Sequence, residues 1–253
     1  MKMNNLKLFF LLACLMVSLT GHANPLLEKE IDRYIKVFSV GSIENRRAAI
    51  DDLAWSGITD QRLYDVIEQK LLDSYQDTKG NIDAAAWLAK TLAYSGEEKY
   101  RATLEMIVDT AKSTKIRKHT KIALETLPLY TQWNQSISKG TDDASTAREL
   151  DSLRLSNMLQ SSTPELIRYA AKRLYRHDRV EQKLFDEAEK SLLKYYNAPE
   201  ADDGVWADAL AWLCKALGNS RNSSYKETLQ TVIENSGRGK VKSHAQKALK
   251  ELS

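Results

Sequence analysis

Cysteine is nearly absent. The 253-residue chain has two, Cys14 and Cys214, and Cys14 falls in an N-terminal stretch that reads as a leader. With one Cys left after its removal, an internal disulfide is excluded and the fold must be held by its core. Proline and glycine are scarce as well, at 4 and 10 residues, so few positions break a helix. No sustained alternation of apolar and polar residues occurs, so the chain carries no clear strand signal. Beyond the leader no apolar run is long enough to span a bilayer. A basic excess is also missing: Lys2 and Lys7 are the leader's only charges, so 35 of 37 Lys and Arg face all 34 Asp and Glu. That balance argues against a general nucleic-acid binder.

Catalytic patterns are absent too. There is no His-Glu-x-x-His, no Gly-x-Ser-x-Gly, no phosphate-binding Gly-Lys-Ser/Thr loop and no Cys-x-x-Cys. The metal and cofactor expectation is therefore none.

What the chain does have begins with the leader. Lys2 and Lys7 precede an apolar run, Leu8 to Leu19, and Gly21-His-Ala23 offers small residues where a signal peptidase reads. Cleavage after Ala23 predicts a mature chain starting at Asn24, in the periplasm or secreted. The alternative is a lipoprotein anchored through Cys14, because Leu11-Leu-Ala-Cys14 has the form of a lipidation box.

Two decapeptides then echo each other: Asp83-Ala-Ala-Ala-Trp-Leu-Ala-Lys-Thr-Leu92 and Asp208-Ala-Leu-Ala-Trp-Leu-Cys-Lys-Ala-Leu217. Around them, one constant spacing relates Leu53, Leu63, Asp65, Leu71 and Tyr75 to Leu174, Leu184, Asp186, Leu192 and Tyr196. After a loop at 198–204 that adds four residues, a second spacing relates Trp87, Tyr100, Leu104, His119 and Ala123 to Trp212, Tyr225, Leu229, His244 and Ala248. The shared positions are mostly apolar at helical spacing, the mark of an internal duplication. Each copy predicts about six helices. Helix starts are written at Ser42, Asp60 and Thr163-Pro-Glu165. The sixth helix is expected to end before Pro128.

Segments such as Thr163 to Leu174 and Lys240 to Leu252 place a basic residue, then Ala, then Leu at helical spacing. In this they resemble HEAT-type repeats, with TPR repeats as the rival. The resemblance implies an all-α fold: a right-handed α-α superhelix, a HEAT-like solenoid of about twelve helices. Its expected organisation is 1–23 leader, 24–130 first copy, 131–144 linker and 145–253 second copy.

Several residues invite a sharper reading. Trp87 and Trp212 lie in Ala- and Leu-rich helices and are expected to anchor cores. His119, His244 and His177 lack a second ligand at i+4, so packing or a local hydrogen bond is expected. Glu200, Asp202, Asp203 and Asp208 fit no EF-hand spacing. Cys214, in place of Ala89, reads as a small buried position.

The strongest binding candidates are two basic segments carrying Lys115, Arg117, Lys118 and Lys121 in the first copy and Lys240 and Lys242 in the second. They fit an anionic partner, a solvated face, or the repeat family's habit of pairing a basic residue, here Arg117 and Lys242, with an acid of the adjacent repeat.

The expectation from all this is a non-catalytic binding or scaffold protein of the bacterial envelope. Its partner would be a protein, or an acidic envelope polymer or lipid, with no nucleic acid. The alternatives are a cell-wall-active enzyme of helical-superstructure type, against which the Glu-Ser pair of such sites is missing, and a toxin-neutralising partner.

Overall fold

Apolar positions three and four apart bury one face of a helix and leave the other wet, and this chain repeats that pattern from end to end. The structure, a computed structural model, describes residues 24–176, 181–198 and 204–252. The leader with Cys14, and also His177, Glu200, Asp202 and Asp203, lie outside the described residues. Within them the chain forms twelve α-helices and no strand. The first copy contributes α1 (Pro25–Val40), α2 (Ile43–Leu53), α3 (Gln61–Ser74), α4 (Ile82–Ala93), α5 (Arg101–Thr110) and α6 (Thr114–Ile137). The second contributes α7 (Ala147–Gln160), α8 (Pro164–Arg176), α9 (Gln182–Tyr195), α10 (Gly204–Asn219), α11 (Lys226–Asn235) and α12 (Gly239–Glu251). No described helix is long and apolar enough to cross a membrane.

Local chemistry sets the helix starts. Ser42 Oγ accepts from the Asn45 amide at 3.2 Å, and Asp60 accepts from the Arg62 amide at 2.9 Å. Thr146 accepts from the Glu149 amide at 3.1 Å while Glu149 reaches back to the Ser145 amide at 2.8 Å. These contacts satisfy N–H groups that a helix cannot pair internally.

The helices alternate between two layers. Even-numbered helices stack on one another, α4 on α6, α8 on α10 and α10 on α12. Odd-numbered helices form the second layer, α1 on α3 and α7 on α9. Each copy has its own core. Tyr34, Phe38, Leu63, Tyr64, Leu104 and Leu127 fill the first. Leu166, Leu174, Leu192, Leu213 and Val241 fill the second. Each such side chain contributes about 1.5–3 kcal/mol by leaving water. Trp55 and Trp133 pack against both cores.

The copies repeat hydrogen bonds as well as apolar positions. Tyr100 donates its hydroxyl to Asp65 at 2.8 Å, and Tyr225 donates to Asp186 at 2.6 Å. Thr103 donates to Glu68, and Thr228 to Glu189. A short 3-10 turn precedes α5 and another precedes α11.

One feature corrects the sequence expectation and a second goes beyond it. First, α6 does not stop at Pro128; it carries that proline inside and runs to Ile137. Proline in a helix costs about 3 kcal/mol. Here the turns beyond it bury Tyr130, Asn134 and Ile137, which offsets the cost. The 131–144 stretch is thus packed through much of its length, with Thr141 and Ala144 also buried.

Second, α6 crosses the C-terminal ends of α4 and then α2. Asn134 Nδ2 donates to the carbonyls of Tyr94 at 2.8 Å and Ser95 at 3.2 Å. A Cβ on Gly96 would stand 2.5 Å from the Thr131 nitrogen, and one on Gly57 2.9 Å from Ile137 Cγ2. The long helix therefore leads back along the first copy, and α7 arrives beside α1. Asn24 Nδ2 reaches the carbonyls of Thr141, Asp142 and Ala144 at 3.3, 3.0 and 2.8 Å. Trp55, just past α2, stacks on Tyr169 of α8, with centroids 4.5 Å apart and planes at 17°. The first hairpin of one copy meets the first hairpin of the other.

Candidate functional site

The basic segments divide once they are placed. Lys115 of α6 bonds Asp83 of α4. Its counterpart Lys240 of α12 bonds Asp208 of α10 at 3.0 Å. These two ion pairs are equivalent under the duplication, so an acid–base link does join adjacent hairpins. It is made by Lys115 and Lys240 rather than by Arg117 and Lys242. Arg117 instead donates to the carbonyls of Ala111 at 2.5 Å and Lys112 at 3.2 Å, closing the end of α5. Lys118 and Lys121 are exposed and Lys242 is half-buried, with no ion pair among the described residues. Of the six candidates, three are thus occupied inside the molecule.

A denser basic surface lies on α8, α10 and α12. Trp212 is half-buried rather than sealed in the core. Lys172 and Lys215 place their ammonium groups over its ring, 5.0 and 3.9 Å from the centroid. Tyr175 meets the same ring edge-on at 5.6 Å. Cation–π contact holds these ammonium groups at fixed positions. Burial, with Arg168, Arg176 and Lys215 nearby, holds the Lys172 ammonium below the usual lysine range. Asp208 supplies the local counter-charge and is shared, with Arg168 at 3.5 Å and Lys240 at 3.0 Å. Burial opposes ionisation of Asp208, yet Lys240, Arg168 and Lys172 keep its carboxyl below the ordinary range. His244 is pushed down by burial and by Lys215, Lys247 and Lys240, and its Nδ1 is buried without a partner. Trp87 mirrors Trp212 only in part: it is half-buried under Arg47, 5.0 Å from its centroid.

A second site lies at the junction of the copies. A cavity of about 220 Å³ opens between α1, the end of α2, α7 and α8. Three arginines, Arg33, Arg154 and Arg173, and three acids, Glu30, Asp52 and Asp151, line it. Arg154 spans the junction to Glu30 with both terminal nitrogens, at 3.2 and 2.9 Å. Arg173 approaches Asp151 at 3.6 Å and Arg33 approaches Glu30 at 4.0 Å. Burial, then Glu30, pushes the Tyr34 hydroxyl up to about 12. A groove of about 480 Å³ adjoins the cavity along α1 and α7.

The junction is pseudo-symmetric. The spacing that relates Leu53 to Leu174 also relates Glu30 to Asp151 and Arg33 to Arg154. It relates Leu26 to Ala147 and Lys29 to Leu150 as well, the last pair differing in charge. All eight line the groove. The repeated acid-x-x-Arg pattern was present in the sequence, but polar residues on a helix look solvated until their partner helix is known.

Neither site offers a metal cage: no group of three or more His, Cys, Asp or Glu side chains is placed to hold an ion among the described residues. Cys214 is buried in the second core, and burial pushes its thiol up to about 12. No protein-family model, no curated protein and no solved structure matches the chain.

Proposed function

We propose that this chain is an exported, non-catalytic binding or scaffold protein that holds an acidic protein partner on the α8, α10 and α12 surface. The observation that carries this reading is the pair of ammonium groups fixed over Trp212. Arg168, Lys172 and Lys240 gather around the Asp208 carboxylate, and Lys215 and Lys247 join Lys240 around His244. Cations crowded in this way repel one another, and an anionic partner relieves the repulsion as it binds. Aromatic residues beside the charges add apolar contact area. Within each copy, even helices stacked on even helices support the HEAT-like reading of the hairpins, and such stacks present extended surfaces. The leader ending at Ala23 supports export to the periplasm or medium.

The test is affinity capture from an envelope extract at low and raised salt, with the wild-type chain from Asn24 and a K172A/K215A variant as baits. One protein retained by the wild type and lost by the variant is the expected result. Identical capture by both baits overturns the surface assignment. A polysaccharide or lipid eluting with salt would replace the protein partner by an acidic envelope polymer.

A further inference from the structure

We propose that the junction cavity binds a small zwitterion, an amino acid or short peptide carrying both a free ammonium and a free carboxylate. The reading is independent of the α8, α10 and α12 surface.

The cavity has a charge polarity. Duplication makes most junction positions alike in charge, Glu30 with Asp151 and Arg33 with Arg154. Asp52 and Arg173 are also equivalent positions, yet they carry opposite charges, and both line the cavity. The first copy thus presents a carboxylate where the second presents a guanidinium. A ligand with its own charge separation can align between them. A simple anion would meet Asp52, and a simple cation would meet Arg173.

Charged groups at the cavity are also incompletely paired. Asp52 has no ion-pair partner among the described residues. The Nε atoms of Arg154 and Arg173 are buried without any hydrogen-bond partner. Arg154 as a whole is 8% exposed. A buried donor left unpaired is costly; those Nε atoms are closed to a ligand as to water, so it is the part-exposed guanidinium end of Arg173 that can meet a ligand carboxylate with charge assistance. Arg173 holds Asp151 only at 3.6 Å, loosely enough to be shared with a ligand.

Size and wall fit the same class. A cavity of about 220 Å³ holds roughly seven waters at ~30 Å³ each, which suits an amino acid or dipeptide. Trp55 and Tyr169, stacked on each other, both line the cavity and give it an aromatic side for the ligand's apolar portion. Because the ligand would touch Asp52 on one copy and Arg173 on the other, its binding would also tie the copies together and raise the unfolding temperature.

The experiment titrates the wild-type chain with alanine, alanyl-alanine, N-acetyl-alanyl-alanine and alanyl-alanine amide, reading tryptophan fluorescence and unfolding temperature. Saturable binding is expected for alanine or the free dipeptide, and which of the two binds more tightly sets the ligand size. The acetylated and amidated forms, each lacking one charge, should bind at least ten-fold more weakly. D52N should weaken the free ligand at least ten-fold, whereas K121A on α6 should not. R173Q should do as D52N does; if it fails to fold, D52N carries the test, since Asp52 is exposed. Absence of saturable binding by both free ligands overturns the proposal. So does equal binding of the blocked forms, or unchanged affinity in D52N.

Discussion

Glu30 of α1 accepts both terminal guanidinium nitrogens of Arg154 of α7, and this fork joins the two copies across their junction. Both side chains are largely withdrawn from water, at 10% exposure for Arg154 and 18% for Glu30. Removing one partner of such a pair strands the other charge. R154M is expected to cost on the order of 3 kcal/mol, while E30Q/R154M should lie closer to wild type. Urea unfolding of the wild type, both single variants and the double variant measures this. A double variant as unstable as the sum of its singles would show that the two groups do not act as a pair.

Gly96 and Gly140 separate conformational strain from close approach. Both have left-handed backbones, with φ of 66° and 70°. A Cβ on Gly96 would collide with the Thr131 backbone, whereas one on Gly140 meets nothing within 4 Å. G140A should therefore cost about 1 kcal/mol. G96A should cost roughly 2–4 kcal/mol, because α6 must also move off the end of α4. Equal losses in a thermal-unfolding comparison would mean that the crossing of α6 is loose.

What the sequence could show follows from the range of its signals. Caps such as Ser42 and Asp60 act within three residues, so they were legible one at a time. The correspondence of Asp65 with Asp186 and Tyr100 with Tyr225 was legible because each copy selects for the same contact. Pro128 misled because a local rule says that proline ends a helix, whereas the burial of Asn134 and Ile137 that overrides it depends on distant elements. The meeting of α1 with α7 had no local signature at all. Periodicity tells which face of a helix is buried, not which helix covers it, so nothing local marks Arg154 as the residue that reaches Glu30 of α1. Trp212 was legible as a large anchor but not as a ring half-open beneath two lysines, since Lys172 comes from a different helix.

The matched tyrosines give a prediction with a pH sign. Tyr225 holds the Asp186 carboxyl below the ordinary aspartate range through its hydrogen bond, with Gln182 adding to it. A carboxyl depressed in the folded state stabilises the fold above its unfolded pKa, near 4. That contribution fades as pH falls through the lower folded value. Y225F should thus cost about 1 kcal/mol at pH 7, and the deficit should shrink in acid. Unfolding free energies at pH 7 and pH 3 check it, and a deficit that stays constant with pH would assign the loss to packing alone.

His244 carries the opposite group charge and gives a second test of sign. Burial first, then Lys215, Lys247 and Lys240, lower its pKa from the ordinary value of 6.5. The fold therefore prefers the neutral imidazole, and the unfolded chain takes up a proton first as pH falls. Stability linked to His244 is complete above about 6.5 and declines as pH drops toward the folded value. H244Q keeps a polar side chain but cannot titrate, so wild type should lose stability relative to H244Q between neutral pH and pH 5. Proton NMR of the imidazole should place its midpoint below that of free histidine. Because the depression comes partly from neighbouring lysines, K215A should raise the midpoint, and an unchanged midpoint would mean that the cations around Trp212 do not act on His244 as one cluster.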